Sequence, residues 1–197
     1  MSTSLATIRA APSGPESALA NALDLLFEHS PVLIETLEPK LSDVLKALPS
    51  LDSYNQLIDL ALGEISKWSD LAQAEFISGH PRIGENKNLS AHSAREQGAG
   101  GITPTPPEVL ARLEHLNALY EAKYPGLRYI TFVNGRTRAV IVEEMEERLS
   151  LDKSLSPTEP PADTVVPYDA VSSEWKGELN RAVYDIGRIA KSRAASL

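Results

Sequence analysis

Apolar residues recur along this chain at helical spacing almost from end to end. Leu51, Tyr54, Leu57, Ile58, Ala61, Leu62 and Ile65 follow the three-and-four steps of one buried helical face. Upstream, 17–27 reads as the first helix and ends in Glu28-His29-Ser30-Pro31; 32–37 then reads as a short turn and 41–48 as a further helix. Ser69-Asp70 opens the next one with a good N-cap, its apolar side carried by Leu71, Ala74 and Phe76 until Gly79 stops it. Pro106-Pro107-Glu108 starts a helix with proline in its first turn. Its inner stripe is Val109, Leu110, Leu113, Leu116, Asn117 and Tyr120, and Pro125-Gly126 ends it. Thr137 caps a run with Val140, Ile141, Met145 and Leu149 at helical spacing, and 174–195 closes the chain with Trp175, Leu179, Val183, Ile186 and Ile189 inward.

Two stretches break the pattern. Tyr129-Ile130-Thr131-Phe132-Val133 has the β-branched and aromatic content of a strand, and Asn134-Gly135 after it is a strong turn signal. No second strand follows to complete a ladder, so 128–134 is expected to be a buried extended connector whose free amides and carbonyls are available to a ligand. Residues 151–173, with Pro157, Pro160, Pro161 and Pro167, read as an irregular excursion. Residues 1–16 are small, polar and proline-interrupted, which predicts a disordered tail ahead of one domain over 17–197. The expected fold is all-α: a single-domain bundle of roughly eight helices with one extended connector.

Composition narrows the chemistry. The 197 residues are 42% apolar, enough for one domain with its own core. A net charge of −8 without a basic stripe argues against nucleic acid as a partner. There is no cysteine, which removes disulfides, thiolate catalysis and cysteine-held zinc. No run approaches the roughly eighteen apolar residues of a membrane span, and Arg9, Pro12, Pro15 and Glu16 interrupt anything like a signal peptide. A cytoplasmic protein is expected; the terminal Ala195-Ser196-Leu197 only loosely resembles a peroxisomal address.

The candidate chemistry gathers at His80-Pro81 and at Ser93-x-x-Glu96-Gln97. Proline after His80 biases that residue toward extended backbone, which places the imidazole where a helix has just ended. Ser93 and Glu96 stand three apart, on one face of a helical turn, with Gln97 beside them. Helix-terminal imidazoles are commonly structural, and Glu96 and Arg193 taken singly read as solvated charges. Arg136 and Arg138 suit either an anion or a solvated turn. His29, His80, His92 and His115 lack the His-x-x-x-His spacing of helical metal sites, and Gly98, Gly100 and Gly101 form no dinucleotide fingerprint. No metal is expected, and no Gly-x-Ser-x-Gly elbow offers a nucleophile.

Taken together, the motifs resemble the 2-oxo-4-hydroxy-4-carboxy-5-ureidoimidazoline (OHCU) decarboxylases of urate degradation. Leu26-Phe27-Glu28-His29-Ser30-Pro31 is similar to that family's Phe-Glu-x-Ser-Pro, Gly79-His80-Pro81 to its His-Pro, and Ser93-x-x-Glu96-Gln97 to its Ser-x-x-Glu-Gln. Leu116-Asn117-x-x-Tyr120, the stretch 126–135, and the run from Glu178 through Ile186 and Ile189 to Arg193 follow in the family's order. The resemblance implies an all-α homodimer that needs no cofactor and converts the ureidoimidazoline to (S)-allantoin and carbon dioxide. It implies His80 and Glu96 as the catalytic pair, Arg193 as a substrate-binding cation, Pro81, Ser93 and Gln97 as substrate contacts, and main-chain contacts around Tyr129, Ile130 and Thr131. The carbanion left by the departing carboxylate can delocalise as an enolate, so a proton donor with a pKa near neutrality, such as His80, would suffice. The sequence departs from the family in having Arg82-Ile83 where Asp-Leu is usual, which puts a second cation near the site that could contact a substrate carboxylate, and in a shorter span between His80 and Glu96. Two alternatives stand beside this reading: a related enzyme for another small ureido or keto acid, which those departures fit best, and a helical interaction protein on the same scaffold that has lost the activity and binds a partner through its acidic surface.

Overall fold

The computed structural model describes residues 4–85 and 105–197. Among these every regular element is a helix, with no strand. The helices are α1 (Leu5–Ala10), α2 (Ala18–Phe27), α3 (Glu38–Ala47), α4 (Tyr54–Ile65), α5 (Asp70–Ser78), α6 (Pro107–Lys123), α7 (Arg138–Leu149) and α8 (Ser173–Ala194). A π-helical turn, Leu33–Leu37, runs directly into α3, and a single 3₁₀ turn, Ala162–Thr164, interrupts the proline-rich excursion. The all-α expectation holds. No described helix is long and apolar enough to cross a membrane.

Short-range signals set most helix starts. The side chains of Ser17, Ser53, Ser69 and Thr137 each accept a backbone N–H from the first turn of α2, α4, α5 and α7, the bond that satisfies one of the orphan donors there. Two faces differ from the sequence reading. Leu71 is 76% exposed and Val140 46%, while Gln73 and Ile77 take the inward positions of α5. Both misplaced residues sit at the edge of an apolar stripe, where helical spacing alone tolerates either orientation.

The contacts divide the chain into two compact units. The first, Met1–His80 with Leu179–Leu197, packs α1, α2, α3 and α4 around Leu23, Leu26, Phe27, Leu41, Leu57 and Ile58. Its N-terminal segment is held where a disordered tail was expected. Ile8 is buried, Arg9 donates to Leu48 O, and the buried Glu38 carboxylate accepts from Ser13 Oγ (2.6 Å), Gly14 N (3.2 Å) and Ser17 Oγ (2.7 Å). A buried carboxylate must be saturated with donors, and the tail supplies them.

The second unit, Pro81–Glu178, is organised by α6 packed on α7. Leu113, Leu116, Leu119 and Tyr120 of α6 meet Ile141, Met145 and Leu149 of α7 in its core. Arg112 lies inside the apolar register of α6 and is 1% exposed. Its guanidinium pairs with Glu146 and donates to Ser156 O (2.8 Å) and Glu159 O (2.6 Å), while His115 Nε2 lies 2.9 Å from Pro160 O. The 151–161 part of the excursion is thereby fastened to α6 by polar groups rather than by apolar burial; Leu155 itself is 52% exposed. The chain passes from the first unit to the second at His80–Pro81 and returns within α8.

Candidate functional site

In the first unit, α5 delivers His80. The helix runs out at Gly79, whose N–H bonds to Phe76 O (3.2 Å), and His80 N–H bonds to Ile77 O (3.0 Å). Proline at 81 supplies no N–H with which the turn could continue. The imidazole is 3% exposed, and its ring meets Phe76 edge-on, with centroids 6.1 Å apart. Phe76 in turn packs against Phe27 and Trp68. The helix end and the aromatic wall thus place this imidazole in the interior against Phe76.

Gly79 is glycine because the chain beside it is so close. A Cβ there would stand 2.9 Å from Ser30 Cβ and 3.0 Å from His29 O, inside normal contact distance. The turn that presses on it begins at Glu28, the residue that ends α2, with φ 62° and ψ 152°. Ser30 is buried, and its hydroxyl has no hydrogen-bond partner among the described residues.

Arg193, near the end of α8, reaches that same turn. Its Nη2 donates to Glu28 Oε1 at 2.8 Å, and its Nη1 donates to Leu25 O and Leu26 O at 3.3 and 3.4 Å. These are among the last carbonyls of α2, so the cation caps the negative end of that helix while pairing with the carboxylate that follows it. The Arg193 side chain is 1% exposed. The first unit therefore groups Arg193, Glu28, the 28–30 turn and the Gly79–His80 helix end.

The second unit holds the other described candidates. Arg82 grips Glu121 of α6 with a two-point fork, Nε to Oε1 at 2.6 Å and Nη2 to Oε2 at 2.9 Å. That bond to Glu121 raises the Arg82 pKa in spite of partial burial. Asn117 Nδ2 donates to Ile83 O at 3.0 Å, and Gly84, at φ 85°, lies so near α6 that a Cβ there would stand 3.0 Å from Leu113 Cδ1. The three residues after Pro81 are thus docked onto α6 by an ion pair, an amide bond and a close backbone approach.

Tyr129, Ile130 and Thr131 are buried, as the sequence predicts, in a stretch that is neither helix nor strand. They are not a row of unengaged groups. Tyr129 Oη and Thr131 Oγ1 both donate to Glu144 of α7, at 2.7 and 3.0 Å, and Arg128, Tyr129, Ile130 and Phe132 all have interaction partners. Arg136 is neither a solvated turn residue nor an anion site, because it pairs with Glu144 and bonds to Val133 O. Arg138 is buried, which lowers its pKa, and donates to Thr105. Ser93, Glu96 and Gln97, together with His92, lie outside the described residues. No group of three or more potential metal-ligating side chains occurs among the described ones.

Sequence reasoning quoted Glu28 and Glu178 within motifs but gave neither a role. Glu178 is buried and joins Tyr120 Oη (2.8 Å) to Arg148 (3.0 Å). The signal for Arg112 was an arginine standing in register with Val109, Leu113 and Leu116, a place a lone charge would not occupy without a partner.

Among the described residues the protein is a small helical one in which a buried histidine closes one helix and a buried arginine is paired with a carboxylate. The chain belongs to the OHCU decarboxylase family, whose model matches residues 12–156. It is 26% identical over 179 residues to the uric acid degradation bifunctional protein PucL of Bacillus subtilis (strain 168), covering 91% of this chain and 30% of that one. It is 29% identical over 105 residues to the 2-oxo-4-hydroxy-4-carboxy-5-ureidoimidazoline decarboxylase of Halalkalicoccus jeotgali, covering 53% of this chain and 57% of the relative. The chain thus spans about a third and somewhat over half of the lengths of those curated relatives.

Two solved structures share the fold. The crystal structure of (S)-allantoin synthase superposes with a TM-score of 0.59 at 18% identity, covering 98% of this chain and 54% of that chain. The crystal structure of OHCU decarboxylase in the presence of (S)-allantoin gives 0.51 at 20% identity, covering 80% and 89%.

Proposed function

We propose that this protein decarboxylates OHCU to (S)-allantoin and carbon dioxide, as a cofactor-independent carboxy-lyase of urate degradation. The observation that carries the reading is family membership over residues 12–156, with His80 buried at the end of α5 and Arg193 held at the neighbouring turn. In the reaction the bond from ring carbon to carboxylate breaks, and its electron pair passes into the adjacent unsaturated ring system. Carbon dioxide leaves, and one proton delivered to a single face of the ring fixes the configuration. His80 handles that proton, its orientation set by the helix end and by Phe76. Glu96 orients the imidazole or receives the ureido N–H groups, and Arg193 supplies positive charge to the developing oxyanion. Pro81, Ser93 and Gln97 complete the substrate contacts, with main chain from Tyr129, Ile130 and Thr131. A cytoplasmic homodimer is part of the same proposal; a peroxisomal location is the alternative.

The alternative of another ureido or keto acid drew on Arg82 as an extra cation for the substrate. Its two-point grip on Glu121 gives that charge a partner within the protein, which favours the OHCU reading. The test supplies the purified protein with the product of urate oxidase and hydroxyisourate hydrolase, formed in place, and follows circular dichroism. The expected result is accumulation of (S)-allantoin well ahead of the uncatalysed racemate. His80→Asn should abolish turnover with its helical spectrum intact, and near-normal turnover by that variant would remove His80 from the mechanism.

A further inference from the structure

Glu28 occupies backbone geometry that suits glycine. At φ 62° and ψ 152° an L side chain costs on the order of 1–3 kcal/mol, and such strain persists only where surrounding contacts enforce it. A glycine would adopt this turn without that cost, yet here it carries a carboxylate, and the carboxylate meets a guanidinium that is almost fully buried. The partner lies 165 residues away, on the last helix. The side chain at 28 thus fixes a long-range contact that the turn alone does not require.

Two further contacts give that pair a direction. Arg193 is spread between the Glu28 carboxylate and the Leu25 and Leu26 carbonyls, so its planar fork has one orientation. The turn that Glu28 opens continues into His29 and Ser30, which press on Gly79 so closely that a Cβ there would lie 2.9 Å from Ser30 Cβ. Gly79 is the residue before His80. One strained glutamate therefore sets the aim of the arginine and shapes the seat on which the histidine-bearing helix end rests.

We propose that Glu28 is a positioning residue for the decarboxylation, acting through Arg193 and through the 28–30 turn against Gly79. The inference rests on the OHCU reading above. Glu28 makes no claim on the substrate; removing its carboxylate takes from Arg193 the charged partner at 2.8 Å that holds one arm of its fork. A misplacement of about 1 Å in a catalytic constellation lowers the rate on the order of 100-fold.

The experiment compares Glu28→Gln, Glu28→Gly and Glu28→Asp with the wild-type full chain, measuring kcat and KM separately by the circular-dichroism assay, with thermal melting on the same samples. Glu28→Gly is the informative variant, because it relieves the backbone strain while deleting the carboxylate. A merely structural role predicts a folded, fully active Gly variant. The positioning role predicts that the folded Gln and Gly variants lose kcat on the order of 10- to 100-fold with a smaller change in KM, and that Glu28→Asp regains part of it. A kcat within twofold of wild type in either folded variant overturns the proposal and leaves the OHCU reading standing, as does a loss that only follows the folded fraction. A wild-type protein that makes no (S)-allantoin overturns the OHCU reading itself and this inference with it.

Discussion

Among the described residues, two arginine–glutamate pairs have a guanidinium whose side chain is 1% exposed, one pair in each unit, and they are used differently. Arg112–Glu146 joins neighbouring helices α6 and α7, and its other bonds go to one stretch of irregular chain. Ser156 and Glu159 offer carbonyls to the arginine, and Ser154 N–H reaches the glutamate at 3.0 Å. Arg193–Glu28 joins two helix ends at opposite extremes of the sequence, at a strained residue, next to the helix end that bears His80. Burial of a charge costs several kcal/mol in either case, so neither pair is explained by net stabilisation alone. The first organises backbone that has little apolar surface to bury. The second, in the mechanism proposed above, fixes the direction of a charge at the helix ends around Gly79 and Glu28.

The comparison breaks most visibly at Arg112. Arg112→Ala strands the Glu146 carboxylate and two carbonyls in the interior, and unfolding by urea should show a loss of about 3–5 kcal/mol. Activity per folded molecule should stay at the wild-type level. The paired change Arg112→Met with Glu146→Leu should recover the part of the loss that comes from the stranded charge, while Ser156 O, Glu159 O and Ser154 N–H still lack their partners. A loss below about 1 kcal/mol in Arg112→Ala would deny the fastening role.

Arg193→Lys tests the other side. Lysine keeps the charge but not the planar fork, so turnover should fall on the order of 100-fold, equivalent to about 2.7 kcal/mol of barrier, while unfolding stability drops by less than that. Equal losses in the two measurements would make this pair no different in kind from Arg112–Glu146.

The smallest effect is expected at His115, whose bond to Pro160 O is one link of the same fastening. His115→Ala should cost about 0.5–1.5 kcal/mol and raise amide exchange across 151–161, with no change in turnover. Unchanged exchange there would place the whole fastening on Arg112.

What could be read from the sequence follows the range over which each interaction acts. Ser17, Ser69 and Thr137 start their helices through bonds three residues away, and the periodic apolar faces of α4 and α6 needed only local spacing. His80 was legible because glycine before it and proline after it mark a helix end. The partners of Arg193 and Arg112 lie 165 and 34 residues off, where no spacing rule reaches, so Arg193 first read as one more solvated cation in a basic helix. Arg82 read as a spare charge near the site for the same reason; Glu121, 39 residues on, takes it up. The stretch 128–134 was recognised as non-helical, and burial holds for Tyr129, Ile130, Thr131 and Val133 but not for Asn134, which is exposed; the carboxylate that engages Tyr129 and Thr131 comes from α7.

The Glu38 cluster bears on how the protein can be shortened. The helical pattern starts at Ser17, which makes a boundary just after it tempting for crystallisation or fusion work. Such a cut would remove both hydroxyls and the backbone N–H that satisfy a carboxylate only 1% exposed, turning a saturated acceptor into an orphan at the first turn of α3. The practical left edge of this domain is therefore upstream of Ser13, in a stretch whose composition alone would mark it as dispensable.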